Sequence, residues 1–288
     1  MRLSERIVVG FFLWATVLAL VLPVAGEIRV RALVANAIVF LSCYFLVHEK
    51  SKAWATPLRD WVPQIFLVLA YKEMGWFAPG THTHELENSW IVWDRMLLND
   101  WHLRAGIEAL GSWLPSLLEL SYLVVYIVPP VTLLILYRLR LREKADTMLS
   151  IYLLAMLLCY GQFPFWPSEP PRAVFPGEDM PLVDNVIRRF NLWIVGNYGI
   201  HTSVFPSAHV AGAVAAALGF RYLTPERRGL VAGYALYAAL VTVATVYGRY
   251  HYAVDAGAGV AMAGVGFGLV VGWRRIGARL GARFTRRA

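Results

Sequence analysis

Apolar residues in this chain fall in long uninterrupted blocks rather than in alternation, and short charged stretches separate the blocks. Eight blocks approach or exceed the ~20 residues a helix needs to cross a bilayer. They lie at about 7–25, 31–48, 61–78, 115–138, 147–163, 206–222, 229–247 and 253–273. The pattern predicts an all-α polytopic membrane helix bundle of about eight spans, six to eight. No small-residue cleavage pattern follows the first block, which therefore reads as a retained span rather than a leader. The sixth and eighth blocks are rich in Ala and Gly (Ala211 to Ala217, Ala256 to Gly268), which lets helix backbones approach closely. These two helices are expected to pack tightly in the centre of the bundle.

Composition sharpens this reading. The 288 residues are 58% hydrophobic and only 16% charged, with a mean hydropathy of +0.52, which excludes an ordinary soluble domain. One domain over 1–288 is expected. It comprises a span and outer loop at 60–114, a motif-bearing catalytic core at 145–275 and a basic tail at 274–288. Cys43 and Cys159 each sit inside an apolar block and read as packing residues, not as a disulfide. The net charge of +8 raises the question of nucleic acid, but its placement points elsewhere. If the eight blocks alternate across the bilayer, 18 of the 27 lysines and arginines fall on the side of the two tails. By the positive-inside rule both termini are then cytoplasmic. The partner is the lipid bilayer and not nucleic acid, and the tail (Arg274, Arg275, Arg279, Arg283, Arg286, Arg287) reads equally as resting on anionic headgroups or as a stop signal for insertion.

Two longer loops face the other side. The first, about 79–114, holds His82, His84, Glu85, Asp94 and Arg95, and its stretch from Trp101 to Trp113 reads as an interfacial amphipathic helix. The second, about 164–205, opens with the proline-rich PFWPSEPPR, which stops the fifth helix. His82 and His84 with Glu85 and His201 are metal-ligand types. Two histidines at i, i+2 on an irregular segment are weak ligand spacing, so no metal is expected.

Three polar stretches meet on this outer side: Arg172, the FPSAH of Phe205 to His209, and the GRYHYAVD of Gly248 to Asp255. Pro206 and Ser207 suit a helix start, with Ser207 as cap, and the unpaired N–H groups of that terminus attract anions such as phosphate. His209 stands in the first turn beside them. His251 and Asp255 are four apart and share a face if helical, so a carboxylate can fix the imidazole tautomer. Arg172 and Arg249 offer forked donors for phosphate oxygens. The collected groups suit phosphoryl transfer through a phosphohistidine.

Taken in order, PPR at Pro170 to Arg172, PSAH at Pro206 to His209 and HYAVD at His251 to Asp255 resemble the type 2 phosphatidic acid phosphatase superfamily. Within it they are similar to the inositol phosphorylceramide synthase branch, as is the Asp94-Arg95 of WDRMLLN. The resemblance covers about 160–265. It implies a membrane core of that superfamily's kind and chemistry needing neither metal nor cofactor. His251 would attack phosphorus with Asp255 orienting it, and His209 would act as general acid and then as base. Arg172, Arg249 and Ser207 would hold the phosphoryl oxygens. Read from the residues alone, Asp94 and Arg95 either pair structurally, the favoured reading, or contact the headgroup or acceptor, for which His201 is a further candidate. Phe165 and Thr245 stand where the superfamily carries a lysine and an arginine.

The implied activity is a lipid phosphotransferase, moving a phosphate-linked headgroup such as phosphoinositol from a phospholipid to a lipid or sugar alcohol at the outer face. The alternative is a phosphatase of phosphatidic acid or polyprenyl (pyro)phosphates. A transporter ranks lower, because its polar groups would gather at the bilayer midplane of several spans.

Overall fold

A computed structural model describes residues 1–79, 81–202 and 204–285, with side chains as far as Arg279. Helices α1 (Leu3–Val21), α2 (Gly26–His48) and α3 (Ala55–Phe77) come first, joined by short turns. The first outer loop folds into α4 (Glu85–Arg95), a π turn and α5 (Leu103–Glu108). Next, α6 (Trp113–Val124) and α7 (Val128–Arg138) form one interrupted rod through a 3₁₀ turn at Val125–Ile127. Pro129 and Pro130, without backbone N–H groups, explain that interruption. Then follow α8 (Ala145–Tyr160), the short α9 (Pro171–Val174) and α10 (Val186–Tyr198). The chain closes with α11 (Ala208–Leu223), α12 (Arg228–Tyr247) and α13 (Ala253–Thr285).

Each of the eight expected blocks is a helix. Six of them are long and apolar enough to cross a membrane: α1, α2, the α6–α7 rod, α8 with its flanking turns, α12 and α13. The other two fall short for separate reasons. α3 carries Arg59, Asp60, Lys72 and Glu73, and α11 has only 16 residues. Val17, Leu20, Val30, Ile38, Leu41, Ile65 and Leu236 stand exposed around the bundle, a surface that water would not tolerate. The chain is an integral membrane protein.

The centre differs from expectation. It is α8 that is buried nearly all round, with α1, α3, α11 and α13 packed about it. The small-residue helices α11 and α13 flank it and also pack on each other. Gly259 shows how closely: a Cβ there would come within 2.4 Å of the Ser207 carbonyl oxygen. That approach sets the start of α11 directly against the first turns of α13.

The end of the bundle holding the N-terminus is tied by charge. Glu5 accepts a forked pair of bonds from Arg59 at 2.5 and 2.9 Å. Asp60 meets Arg2, Arg142 and the Tyr137 hydroxyl. Asp146 of α8 takes the N–H and hydroxyl of Ser4, capping α1 from a neighbouring helix, and pairs with Arg274 at 2.5 Å. The chain past 273 is thus still helix; of the expected basic tail, Arg286 and Arg287 lie outside the described residues.

One further expectation changes and another holds. The stretch from Trp101 to Trp113 is not one interfacial helix, because His102 takes a left-handed backbone (φ 57°) and α5 is six residues long. Its Ile107 is buried with Leu118, Tyr122 and Tyr247 instead of facing lipid. Cys43 and Cys159 are buried and free, as their apolar surroundings required.

Candidate active site

The site forms where three helix ends converge, and each end is shaped by its local sequence. At α11, Ser207 is the N-cap and its Oγ accepts the Val210 N–H at 3.4 Å. Pro206 lies just before the cap rather than within the first turn. The Ser207 N–H donates to the backbone carbonyl of Asp255 at 3.0 Å, joining the two motifs directly. His209 then sits in the first turn of α11.

At the end of α12 the chain makes a paired closing turn. The N–H of Arg249 bonds Val246 and that of Tyr250 bonds Thr245, the two bonds of a Schellman motif. Such a motif wants glycine at its left-handed position. The glycine here comes one residue early, at Gly248, where a Cβ would lie 2.4 Å from the Tyr250 ring. Arg249 therefore takes the left-handed conformation itself, with φ 61°. Asp94 of α4 holds it there: the Arg249 Nη1 donates to Asp94 at 2.5 Å, and both side chains are fully buried. The second Asp94 oxygen accepts the Ala253 N–H at 2.8 Å and so caps α13. Burial pushes the Asp94 carboxyl up to about 6, against the Ala253 N–H and Arg249, which both favour its charge.

His251 lies in the five-residue gap between α12 and α13, so the pair with Asp255 is not made on one helix. The two meet nevertheless. Asp255 reaches back to accept the Tyr252 N–H at 2.9 Å, half of a capping box, and lies 3.4 Å from His251 Nδ1. The carbonyl of Val204 is nearer, 3.0 Å from the same nitrogen. Both partners are acceptors, so Nδ1 carries the hydrogen and Nε2 presents its lone pair. That Nε2 is 3.2 Å from Nδ1 of His209, which then donates to it. Burial first, and then the charge of Arg172, lower His251 to about 3, so the ring is neutral at ordinary pH.

Arg172 is half-buried beside Tyr250. Its guanidinium lies 5.5 Å from the Tyr250 ring centre, and Nη1 approaches the Tyr250 carbonyl at 3.4 Å. Among the described residues no carboxylate lies within ion-pair distance of it, unlike the other arginines nearby. Arg249 is matched by Asp94, and Arg95 by Glu178 and Asp179 on the second outer loop. His201 is exposed on the loop after α10, and no hydrogen bond joins it to the histidine pair among the described residues. Phe165 is half exposed against Trp14, and Thr245 is fully buried with its hydroxyl on the Thr242 carbonyl.

Several contributors escaped the sequence reading. Glu119 of α6 is buried and accepts from Arg188 at 2.7 Å, Asn191 at 2.8 Å and the Tyr250 hydroxyl at 2.6 Å. Arg188 also reaches the Gly248 carbonyl at 3.2 Å, so this cluster supports the turn that carries His251. An acid inside an apolar block was the available signal for Glu119. Tyr122 and Tyr126 lie 5.1 and 5.5 Å from the His209 ring, and Tyr122 stacks on Tyr250 at 3.9 Å. Aromatic residues are so frequent in this chain that nothing marked these as special.

A neutral imidazole with an oriented lone pair, a second histidine within hydrogen-bond reach and an unneutralised arginine can together pass a phosphoryl group. A family model for the PAP2 superfamily matches residues 89–269. The chain belongs to the PAP2 superfamily. The matched segment runs from α4 through most of α13 and contains every residue of the site just described. No curated protein and no solved structure matches the chain. As a PAP2 superfamily member it is a lipid enzyme of the phosphatase or phosphotransferase type.

Proposed function

We propose that this enzyme is a lipid phosphotransferase of the inositol phosphorylceramide synthase-like kind, working through a phosphohistidine and without metal in the chemical step. It would move a phosphate-linked headgroup, phosphoinositol for example, from a phospholipid to a lipid or sugar alcohol. The observation that carries this reading is the contact between His209 and His251 beside Arg172, which no carboxylate among the described residues neutralises.

In the first half-reaction the His251 Nε2 lone pair attacks phosphorus while the bond from phosphorus to the lipid oxygen breaks. His209 gives its proton to that departing oxygen. In the second, His209 takes the proton of an incoming hydroxyl as its oxygen attacks phosphorus, and the His251 nitrogen leaves. Arg172 offers its forked donors to the equatorial oxygens, where charge accumulates. Ser207 and the first N–H groups of α11 assist from the other side. Arg249, spoken for by Asp94, would act by shaping the loop.

Support for transfer over hydrolysis comes from the site's lining. Tyr122 and Tyr126 lie against the His209 ring, and Trp90 packs on Phe205 and Tyr252, which neighbour the two histidine motifs in the chain, giving aromatic surface suited to a lipid alcohol. The distribution of lysine and arginine supports cytoplasmic termini and a site on the extracytoplasmic side.

Purified protein in lipid vesicles, given labelled phospholipid and no added metal, tests this. Headgroup transfer to an added lipid alcohol, with an acid-labile phosphoenzyme trapped at His251, is the expected result. Hydrolysis alone with the alcohol present, seen as released headgroup phosphate from the phospholipid or as inorganic phosphate from phosphatidic acid, would assign the phosphatase reading instead.

A further inference from the structure

The turn ahead of α4 carries a cluster that the histidine pair does not use. His82, His84 and Glu87 bring their ligand atoms within 4.8 Å of one another. His82 Nε2 lies 2.5 Å from Glu87 Oε1, and His84 Nδ1 lies 3.4 Å from the same oxygen. Glu85, the acid that the sequence suggested, is exposed and takes no part. Glu87 is fully buried and its Oε1 also accepts the Glu169 N–H at 2.9 Å. Among the described residues its Oε2 is buried without a hydrogen-bond partner, as is Nδ1 of His82. A carboxylate buried with one oxygen unpartnered carries poorly compensated charge, which a cation held at Oε1 would offset.

The donor set selects the cation. Calcium and magnesium require oxygen ligands throughout, whereas two imidazoles and one carboxylate suit zinc. Ligand bonds of about 2.0–2.2 Å in a tetrahedron place neighbouring donors roughly 3.4 Å apart. The His84–Glu87 spacing already has that value, and the His82–Glu87 contact opens by about 1 Å to reach it. We propose that His82, His84 and Glu87 form a zinc-type divalent metal site whose fourth position is open to water beside the exposed His84. Through Glu87 and the Glu169 N–H, the metal clamps the segment leading to Arg172 against α4, three residues from that guanidinium. The site is structural and independent of the phosphoryl chemistry.

The test uses the full-length protein in detergent, stripped with chelator, re-equilibrated with Zn²⁺ alone, desalted and assayed for bound zinc. One equivalent should remain, and Co²⁺ in its place should show the visible absorption of a tetrahedral site. His84→Ala, a change at an exposed position, should weaken zinc binding about tenfold or more without unfolding the chain. Glu87→Gln should abolish it, while His251→Asn and His102→Ala should keep it. Zinc should also raise the melting temperature of the wild type and not that of His84→Ala. Absence of retained zinc in the wild type, or full retention in both Glu87→Gln and His84→Ala, overturns the proposal.

Discussion

Nδ1 of His209 lies 3.2 Å from Nε2 of His251, so the two residues proposed as acid and nucleophile are hydrogen-bonded to each other when no substrate separates them. A phosphoryl group in line between nitrogen and departing oxygen needs more room than that. Substrate entry must therefore part the two rings, and the bond between them keeps the His251 lone pair directed until it does.

The two histidines have separable effects. His251→Ala should remove all turnover and all phosphoenzyme. His209→Ala should slow natural substrates by about 10²–10⁴-fold. With an activated aryl phosphate, whose leaving group needs no proton, the His209→Ala loss should shrink sharply; equal losses with both substrates would refute the general-acid role.

Vanadate, which mimics the five-coordinate phosphorus, should inhibit competitively. Arg172→Ala should weaken that inhibition about 10- to 100-fold, the worth of a charge-assisted bond. Arg172→Lys should recover only part, since an ammonium cannot reproduce the fork. An unchanged inhibition constant in Arg172→Ala would remove Arg172 from the phosphate site.

The Asp94–Arg249 pair should behave as a structural clamp. Removing one partner leaves a buried charge unmatched, so Arg249→Met alone should cost about 3–5 kcal/mol of stability. Adding Asp94→Leu to it should recover a good part of the loss. Thermal unfolding of the two variants decides; additive destabilisation would mean that the pair is not coupled.

Acidification should expose the neutral His251. Its folded pKa, about 3, lies below the unfolded value near 6.5. Between these the unfolded chain binds a proton that the folded chain refuses, so this group's contribution to stability falls as pH falls through that window, by up to about 1.4 kcal/mol per unit. Asp94 works oppositely, because its folded pKa of about 6 exceeds the unfolded one. The difference between wild type and His251→Asn isolates the first effect. The wild type should lose more stability than the variant between pH 6.5 and 4.5.

Gly259 and Gly257 form an internal comparison. A methyl at Gly259 meets the Ser207 carbonyl, whereas at Gly257 it meets open space. Gly259→Ala should force α11 from α13 and depress both melting temperature and kcat. Gly257→Ala should raise stability by about 0.5–1 kcal/mol through helix propensity alone. Equal behaviour of the two variants would contradict the close approach.

What the sequence determined by itself was the helical membrane bundle and the set of motif residues proposed for the site. Apolar blocks of spanning length leave the chain few alternatives, because every backbone polar group inside a bilayer must be satisfied within a helix. The order of Arg172, Ser207, His209, His251 and Asp255 named the core of the site from short motifs. Tertiary structure alone decided which charges were free. Arg172 and Arg249 are chemically identical in the sequence, and only the arrival of α4 neutralises Arg249 with Asp94, while Arg172 has no carboxylate within ion-pair distance among the described residues. The same holds for Glu119 beneath the loop and for the replacement of Glu85 by Glu87 beside His82 and His84. Pairing depends on distances between segments far apart in the chain, and hydrophobic periodicity carries no record of them.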